Sequence, residues 1–298
     1  MKKLKYIFAV IAATFMTVVP LAACNSREST QEGERQPQTQ IPELPQIDEK
    51  EQTPPEIEQP EPEEEIDVPN GETNEDVAKQ PEEESKPQTV AYFAVTADGV
   101  NIRSGAGTEY AVLGQAEKST LYCLSGEVGG WFKTVYRNKT AYISSKYCTV
   151  VNMRSSGNEL IEAVVEEGCK LLGTPYVYGA TRLHDGRGNF YKSFTCEKFD
   201  CSSLMQYIFY KGANKLLDVN TRTQVYQGTT VTGAQLERGD LMFFTNAERK
   251  YNKGIERIGH VALYLGDNYI LHTASDYAKI EQISSTRWGY FIQAQRML

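Results

Sequence analysis

The sequence predicts an α+β protein: a small all-β unit followed by a larger domain of helices packed on an antiparallel sheet. Three observations lead there. Between about residues 90 and 150, short alternating runs are separated by glycine-rich turns, with no helix of useful length. Beyond residue 155, apolar residues recur at helical spacing in two places. Near the C-terminal end, Gly259 to His272 alternates like two strands about a turn at Gly266-Asp267-Asn268.

The chain begins with a basic head, Lys2, Lys3 and Lys5, and an apolar run from Tyr6 to Val19. That run is short for a membrane span and ends in small residues, so it reads as a secretory signal over residues 1–23. It closes on Leu21-Ala22-Ala23-Cys24, which resembles a bacterial lipobox. The resemblance implies export, lipidation of Cys24 and anchoring at the outer face of the cytoplasmic membrane, within the extracellular wall. Two acyl chains would make that anchoring stable where one is marginal. An ordinary signal with an incidental cysteine and an uncleaved anchor helix are the rival readings. No later apolar stretch is long enough to cross a bilayer.

Charge and proline then separate a spacer from the folded part. Residues 25–88 hold 20 Asp and Glu against 5 Lys and Arg, whereas residues 89–298 hold 19 against 23. Ten of the 12 prolines lie between Pro37 and Pro87. Such a segment buries too little apolar surface to offset its ordering entropy, so 24–88 is expected to be a disordered, self-repelling linker. At ~3.3 Å per residue its contour limit is about 200 Å. An acidic partner-binding tail is the alternative.

In the first folded domain, 89–151, strands are expected at Tyr92 to Val95, Val100 to Arg103, Leu121 to Leu124, Trp131 to Tyr136 and Ala141 to Ile143. Val100-Asn101-Ile102-Arg103-Ser104-Gly105-Ala106-Gly107-Thr108, Gly130-Trp131-Phe132-Lys133-Thr134-Val135 and Ala141-Tyr142-Ile143-Ser144-Ser145-Lys146-Tyr147 resemble, in order, the signature of bacterial SH3 domains. The resemblance implies a small barrel that binds wall peptides or shapes the cleft of an attached hydrolase. Trp131 is expected in the core, since a small barrel needs a large apolar filler, with a platform of Trp131 and Tyr142 as the rival reading.

In the second domain, 155–298, Glu159 to Leu172 reads as an amphipathic helix with Leu160, Val164 and Leu171 on or near one face, stopped by Gly173-Thr174-Pro175. A second helix begins at Cys201, from which Leu204, Met205 and Ile208 recur at helical spacing and before which Asp200 suits the N-cap. A thiol in a first helical turn faces unpaired N–H groups and the positive end of the dipole, both of which favour the nucleophilic thiolate. The same N–H groups can receive an oxyanion. His260 and His272 share parity about the turn near residue 266, which puts both imidazoles on one face of a hairpin. A thiol, an imidazole and a second polar group orienting it form an activated nucleophile. A buried structural cysteine and scattered histidines are the blander alternative.

Gly173-Thr174-Pro175-Tyr176-Val177-Tyr178-Gly179, Phe199-Asp200-Cys201-Ser202-Ser203-Leu204, Leu236-Glu237-Arg238-Gly239-Asp240-Leu241-Met242-Phe243-Phe244 and Gly259-His260-Val261-Ala262-Leu263-Tyr264 resemble, in order, the NlpC/P60 family of papain-like cysteine peptidases. The resemblance implies Cys201 as nucleophile, His260 as base, His272 as its orienter, and Tyr176, Asp200 and Ser202 lining the substrate site. It implies cleavage of the D-γ-glutamyl–diamino acid bond in peptidoglycan stem peptides or muropeptides, by a monomer, without cofactor, metal or nucleic acid. A non-catalytic wall-binding scaffold and an acyl or peptidyl transferase are the rival readings.

Two features depart from the family's pattern. Ser203 stands where glycine is usual, and residues 180–199 form a long insertion containing His184 and Cys196. The insertion is expected over the cleft, with His184 as a rival catalytic residue. A second insertion, Asn246 to Glu256, carries Arg249, Lys250 and Lys253 and reads as a solvated loop or a contact for anionic wall polymers. Among the remaining cysteines, Cys123 with Cys148 would tie the ends of the first domain. Cys123, Cys148, Cys169 and Cys196 nevertheless allow three full pairings.

Overall fold

A computed structural model describes residues 88–298. The signal segment, Cys24 and the acidic linker lie outside the described residues, and among the described residues no helix is long and apolar enough to cross a membrane.

Eight strands come first: β1 (Thr89–Val95), β2 (Val100–Arg103), β3 (Val112–Ala116), β4 (Leu121–Cys123), β5 (Gly126–Val128), β6 (Trp131–Tyr136), β7 (Lys139–Ser144) and β8 (Cys148–Arg154). There follow α1 (Glu159–Lys170), α2 (Cys201–Ala213), α3 (Thr221–Gln224), β9 (Thr229–Val231), β10 (Leu241–Phe244), β11 (His260–Gly266), β12 (Tyr269–Ala274), β13 (Tyr277–Gln282), α4 (Ser285–Gly289) and β14 (Phe291–Arg296). The architecture is the expected α+β one.

Strands β3-β2-β7-β6-β5 form one antiparallel sheet. The other, β8-β1-β4-β13-β12-β11-β10-β14-β9, runs from the first domain into the second, and its junction is the single pair Leu121↔Ile280. Alternation along β6 explains the first core: Phe132, Thr134 and Tyr136 point inward. The Phe93 ring lies 5.8 Å from Tyr122 and 5.2 Å from Phe132. Trp131 falls on the opposite parity and is half-buried, so the core filler is not Trp131 but the aromatic set of Phe93, Tyr122 and Phe132.

Arg137 and Asn138, both at positive φ, make the tight β6–β7 turn. Their backbone N–H groups donate to the carbonyls of Leu172 and Lys170, so the turn satisfies the open C-terminal end of α1. Gly173 follows at φ +83°, where a Cβ would overlap the Tyr136 ring.

Helix α1 is capped by the Asn158 side chain, which accepts from Leu160 and Ile161 N–H. It buries Val164, Val165, Gly168 and Cys169. Leu160, expected on the apolar face, is 49% exposed, because the buried stripe is centred one position further on. Helix α2 is central: Leu204, Met205, Ile208 and Phe209 are fully buried. At ~1.5–3 kcal/mol per such side chain, this face alone contributes several kcal/mol. Gly212 lets it approach α1 at Val164 with no room for a side chain between them.

The disulfide joins Cys123 to Cys169, not Cys123 to Cys148. The end of β4 meets α1 at a Cα–Cα distance of 6.1 Å, while Cys148 is left as a free, half-buried thiol. Arg238 adds a polar tie: its guanidinium bonds the Glu162 carboxylate, donates to the Tyr92 hydroxyl at 2.8 Å and donates to Leu265 O at 2.9 Å. Against the cost of partial burial, the Arg238 guanidinium and the Ser156 N–H and hydroxyl draw the Glu162 carboxyl down to about 2.

Candidate active site

Cys201 is the first residue of α2. Asp200 caps the helix by accepting from Ser203 N–H at 2.9 Å, and Asp200 N–H donates back to Ser203 Oγ at 2.9 Å, a reciprocal capping box. Ser203 thus fills the position where glycine is usual with a second capping bond. Backbone N–H groups of Ser202 and Val261 face the Cys201 sulfur.

His260 opens β11 and His272 lies in β12. The register pairs Leu263 with Leu271 and Tyr264 with Ile270, so the two histidines are diagonal neighbours on one face, as the parity argument expects. His260 Nε2 and His272 Nδ1 are 3.0 Å apart, and His272 Nε2 lies 3.0 Å from Glu281 Oε1 on β13. That same carboxylate oxygen receives Arg287 Nη2, from α4, at 3.0 Å. Glu281 and Arg287 went unremarked in the sequence. Strand alternation alone gives Glu281 no mark that distinguishes it from any half-exposed acid.

Burial weighs against charge on the thiol and on both imidazoles. Burial, and then the nearby Asp200 carboxylate, push the Cys201 thiol up to about 12, against the opposing pull of the two N–H groups. Burial drives His260 well below its ordinary value, and the neighbouring His272 and Arg287 act in the same direction. Burial also lowers His272, partly countered by Glu281. Burial therefore opposes the thiolate that the helix N-terminus favours.

Two cavities meet at Cys201. The larger, of about 760 Å³, is lined by Tyr176, Tyr178, Arg182, Asp200, Cys201 and Ser202, with Asn246 and Arg249 across from them. The smaller, of about 310 Å³, contains Tyr176, Cys201, His260, Ser284, Thr286 and Arg287. Cys201 and Tyr176 belong to both, so the two cavities adjoin at the thiol.

The other expected residues are all at the cleft, but in unequal roles. Tyr176 is half-buried with its hydroxyl raised to about 12, chiefly by burial. Asp200 and Ser202 have their polar atoms engaged. Asp200 pairs with Arg182 at 2.8 Å and accepts from Gly179 N–H, while Ser202 Oγ donates to Asp200 at 3.1 Å. They form the wall of the cleft and position Arg182, a cleft residue the sequence reading did not single out.

The 180–199 insertion supplies Arg182 to this wall. His184 does not join the site: it is fully buried beside Phe190 and Tyr210, and its Nδ1 accepts from Gly186 N–H. In the second insertion, Arg249 turns toward the cleft and pairs with Glu256 at 3.2 Å.

Residues 173–297 match the profile of the NlpC/P60 family, and residues 98–149 that of a bacterial SH3 domain. A probable endopeptidase p60 of Listeria grayi is 29% identical over 141 residues, covering 47% of this chain and 23% of that protein. A gamma-D-glutamyl-L-lysine dipeptidyl-peptidase of Bacillus cereus is 28% identical over 127 residues, covering 43% of this chain and 32% of that protein. The chain therefore spans from under a quarter to about a third of the length of these curated relatives. A solved NlpC/P60 family protein from Bacillus cereus is 21% identical, with a TM-score of 0.37, covering 70% of this chain and 64% of the other. By these family matches, residues 173–297 are similar to an NlpC/P60 domain and residues 98–149 to a bacterial SH3 domain.

Proposed function

We propose that this protein is a cell-wall cysteine endopeptidase that cleaves the D-γ-glutamyl–diamino acid bond of peptidoglycan stem peptides. The observation that carries the reading is Cys201, in the first turn of α2, sharing a cleft with His260, whose Nε2 is engaged by His272. Similarity to relatives named as peptidoglycan endopeptidases supports the wall substrate, and similarity to the one named for gamma-D-glutamyl-L-lysine supports the bond.

In this mechanism His260 Nδ1, the ring nitrogen not engaged by His272, takes the thiol proton as Cys201 Sγ attacks the amide carbonyl. Backbone N–H groups at the start of α2 receive the developing oxyanion. The tetrahedral intermediate collapses by breaking the C–N bond, and His260 returns the proton to the departing amine, leaving a thioester. Water then attacks the thioester, giving one proton to His260, and the thiol leaves with that proton. Tyr176, Asp200 and Ser202 shape the substrate cleft.

The same proposal puts the enzyme outside the membrane: Cys24 is lipidated and becomes the first residue once residues 1–23 are removed, and residues 24–88 link it to the folded domains. Metabolic labelling with an alkyne fatty acid should tag the protein and lose the tag in Cys24→Ala; equal labelling of both would refute the anchor.

The activity is tested by incubating the purified protein with muropeptides and reading the products by mass spectrometry. New termini at the γ-glutamyl bond are expected, with Cys201→Ala slower by at least about 1000-fold. Intact stem peptides with retained wall binding would favour a non-catalytic scaffold instead.

A further inference from the structure

The imidazole pair has two ways to arrange its protons, and only one leaves a base facing the thiol. In the first, His272 carries its proton on Nε2, so its Nδ1 is a lone pair. His260 Nε2–H then donates to it, and His260 Nδ1 is free to accept. In the second, His272 Nδ1–H donates to His260 Nε2, the proton of His260 sits on Nδ1, and the base is lost. Nothing within the pair favours either arrangement, so the choice must come from the group at the far end.

We propose that Glu281, held by Arg287, is a positioning residue that imposes the first arrangement and thereby keeps His260 Nδ1 free for the Cys201 proton. The proposal rests on the peptidase reading above, but its geometry stands by itself. Glu281 Oε1 lies 3.0 Å from His272 Nε2 and 3.0 Å from Arg287 Nη2. A guanidinium can only donate, so Oε1 is the acceptor in that contact and does not carry a proton toward it. The same oxygen is then an acceptor toward His272 as well, and His272 Nε2 must be the protonated nitrogen.

The fold places these groups without slack. Register pairs Ile270 with Glu281 and His272 with Lys279, so Glu281 reaches His272 along the diagonal of the β12–β13 ladder. Arg287 arrives from α4, whose N-cap Ser284 accepts from Arg287 N–H at 3.2 Å. Lys279 is the other cation near His272, and it is engaged elsewhere, by Asp276 at 2.6 Å and Glu117 at 3.5 Å. The groups facing His272 are therefore His260, Glu281, Arg287 and Lys279, of which Glu281 is the only acid in contact.

The chain has three histidines, so the full protein labelled with 15N-histidine gives a simple imidazole spectrum. His260 and His272 are both expected in the Nε2–H form. A wild-type His260 carrying its proton on Nδ1 overturns the proposal without any variant. Glu281→Leu should release the tautomers and lower kcat by about 10- to 100-fold with KM changed less than about twofold, the size seen when the partner that orients a histidine is removed. Glu281→Gln retains an acceptor oxygen and should restore the tautomers and most of kcat. Unmoved tautomers in Glu281→Leu, or a loss carried by KM alone, overturn the proposal and leave Glu281 a structural residue. If the wild type cuts no stem peptide yet shows the expected tautomers, the peptidase reading fails and the positioning role stands.

Discussion

At Cys201 two physical effects oppose each other, and their sizes decide the outcome. A helix N-terminus stabilises an anion by about 0.3–2 kcal/mol, and N–H groups of Ser202 and Val261 add to it. Removing a charged sulfur from water costs more, and with Cys201 only 8% exposed the thiol rises to about 12. A raised thiol value means that the thiolate fraction is small at pH 7 and grows about tenfold per pH unit up to the titration point. Iodoacetamide should therefore label Cys201 slowly at neutral pH, at a rate that climbs steadily through pH 10, followed by mass spectrometry of the Cys201 peptide. A plateau already reached near pH 7 would show a thiolate–imidazolium pair at rest and sink this account. His260 and His272 were legible because strand parity is a period-two property of the chain. Glu281 was not, since its role depends on which strand lies beyond β12.

Among the elements, α2 was the most readable. Its start is written in Asp200 and Ser203, which cap it reciprocally, and its buried face in Leu204, Met205 and Ile208. Helix α1 was readable in extent and largely in orientation, with Val164 and Leu171 buried as expected and Leu160 the exception. Leu160 lies in the first turn, where the chain enters from β8, and the helix presents Val164, Val165 and Gly168 inward instead. Gly168 shows why: Leu271 of β12 packs where its side chain would be. The insertion at 180–199 has no apolar period to read. Its order comes from single bonds, Arg182 to Asp200 and the Gln206 side chain to Leu183 and His184 backbone, which no spacing announces.

For the whole described molecule, the two domains are joined by a continuous sheet, one buried guanidinium and one covalent link. The Cys123–Cys169 bridge closes a separation of 46 residues and is expected to contribute about 2–4 kcal/mol by restricting the unfolded chain. Cys169→Ser should therefore lower the denaturation midpoint and abolish its sensitivity to reductant, whereas Cys148→Ser should leave both unchanged. Reductant sensitivity lost in Cys148→Ser and kept in Cys169→Ser would restore the pairing within the first domain. The bridge also fixes β4 against α1, and through β13 this edge is continuous with the strands that carry Glu281, His272 and His260.

What the chain determined by itself is local: alternation made strands, helical spacing and Asp200 started α2 at Cys201, and hairpin parity brought His260 beside His272. Each of these follows from backbone geometry within a dozen residues. The tertiary structure alone decided the Cys123 partner, the outward turn of Trp131, the burial that raises the Cys201 thiol, and the meeting of His272 with Glu281 and Arg287. Those outcomes depend on which surfaces exclude water and which strands become neighbours, and both are settled only when distant segments pack.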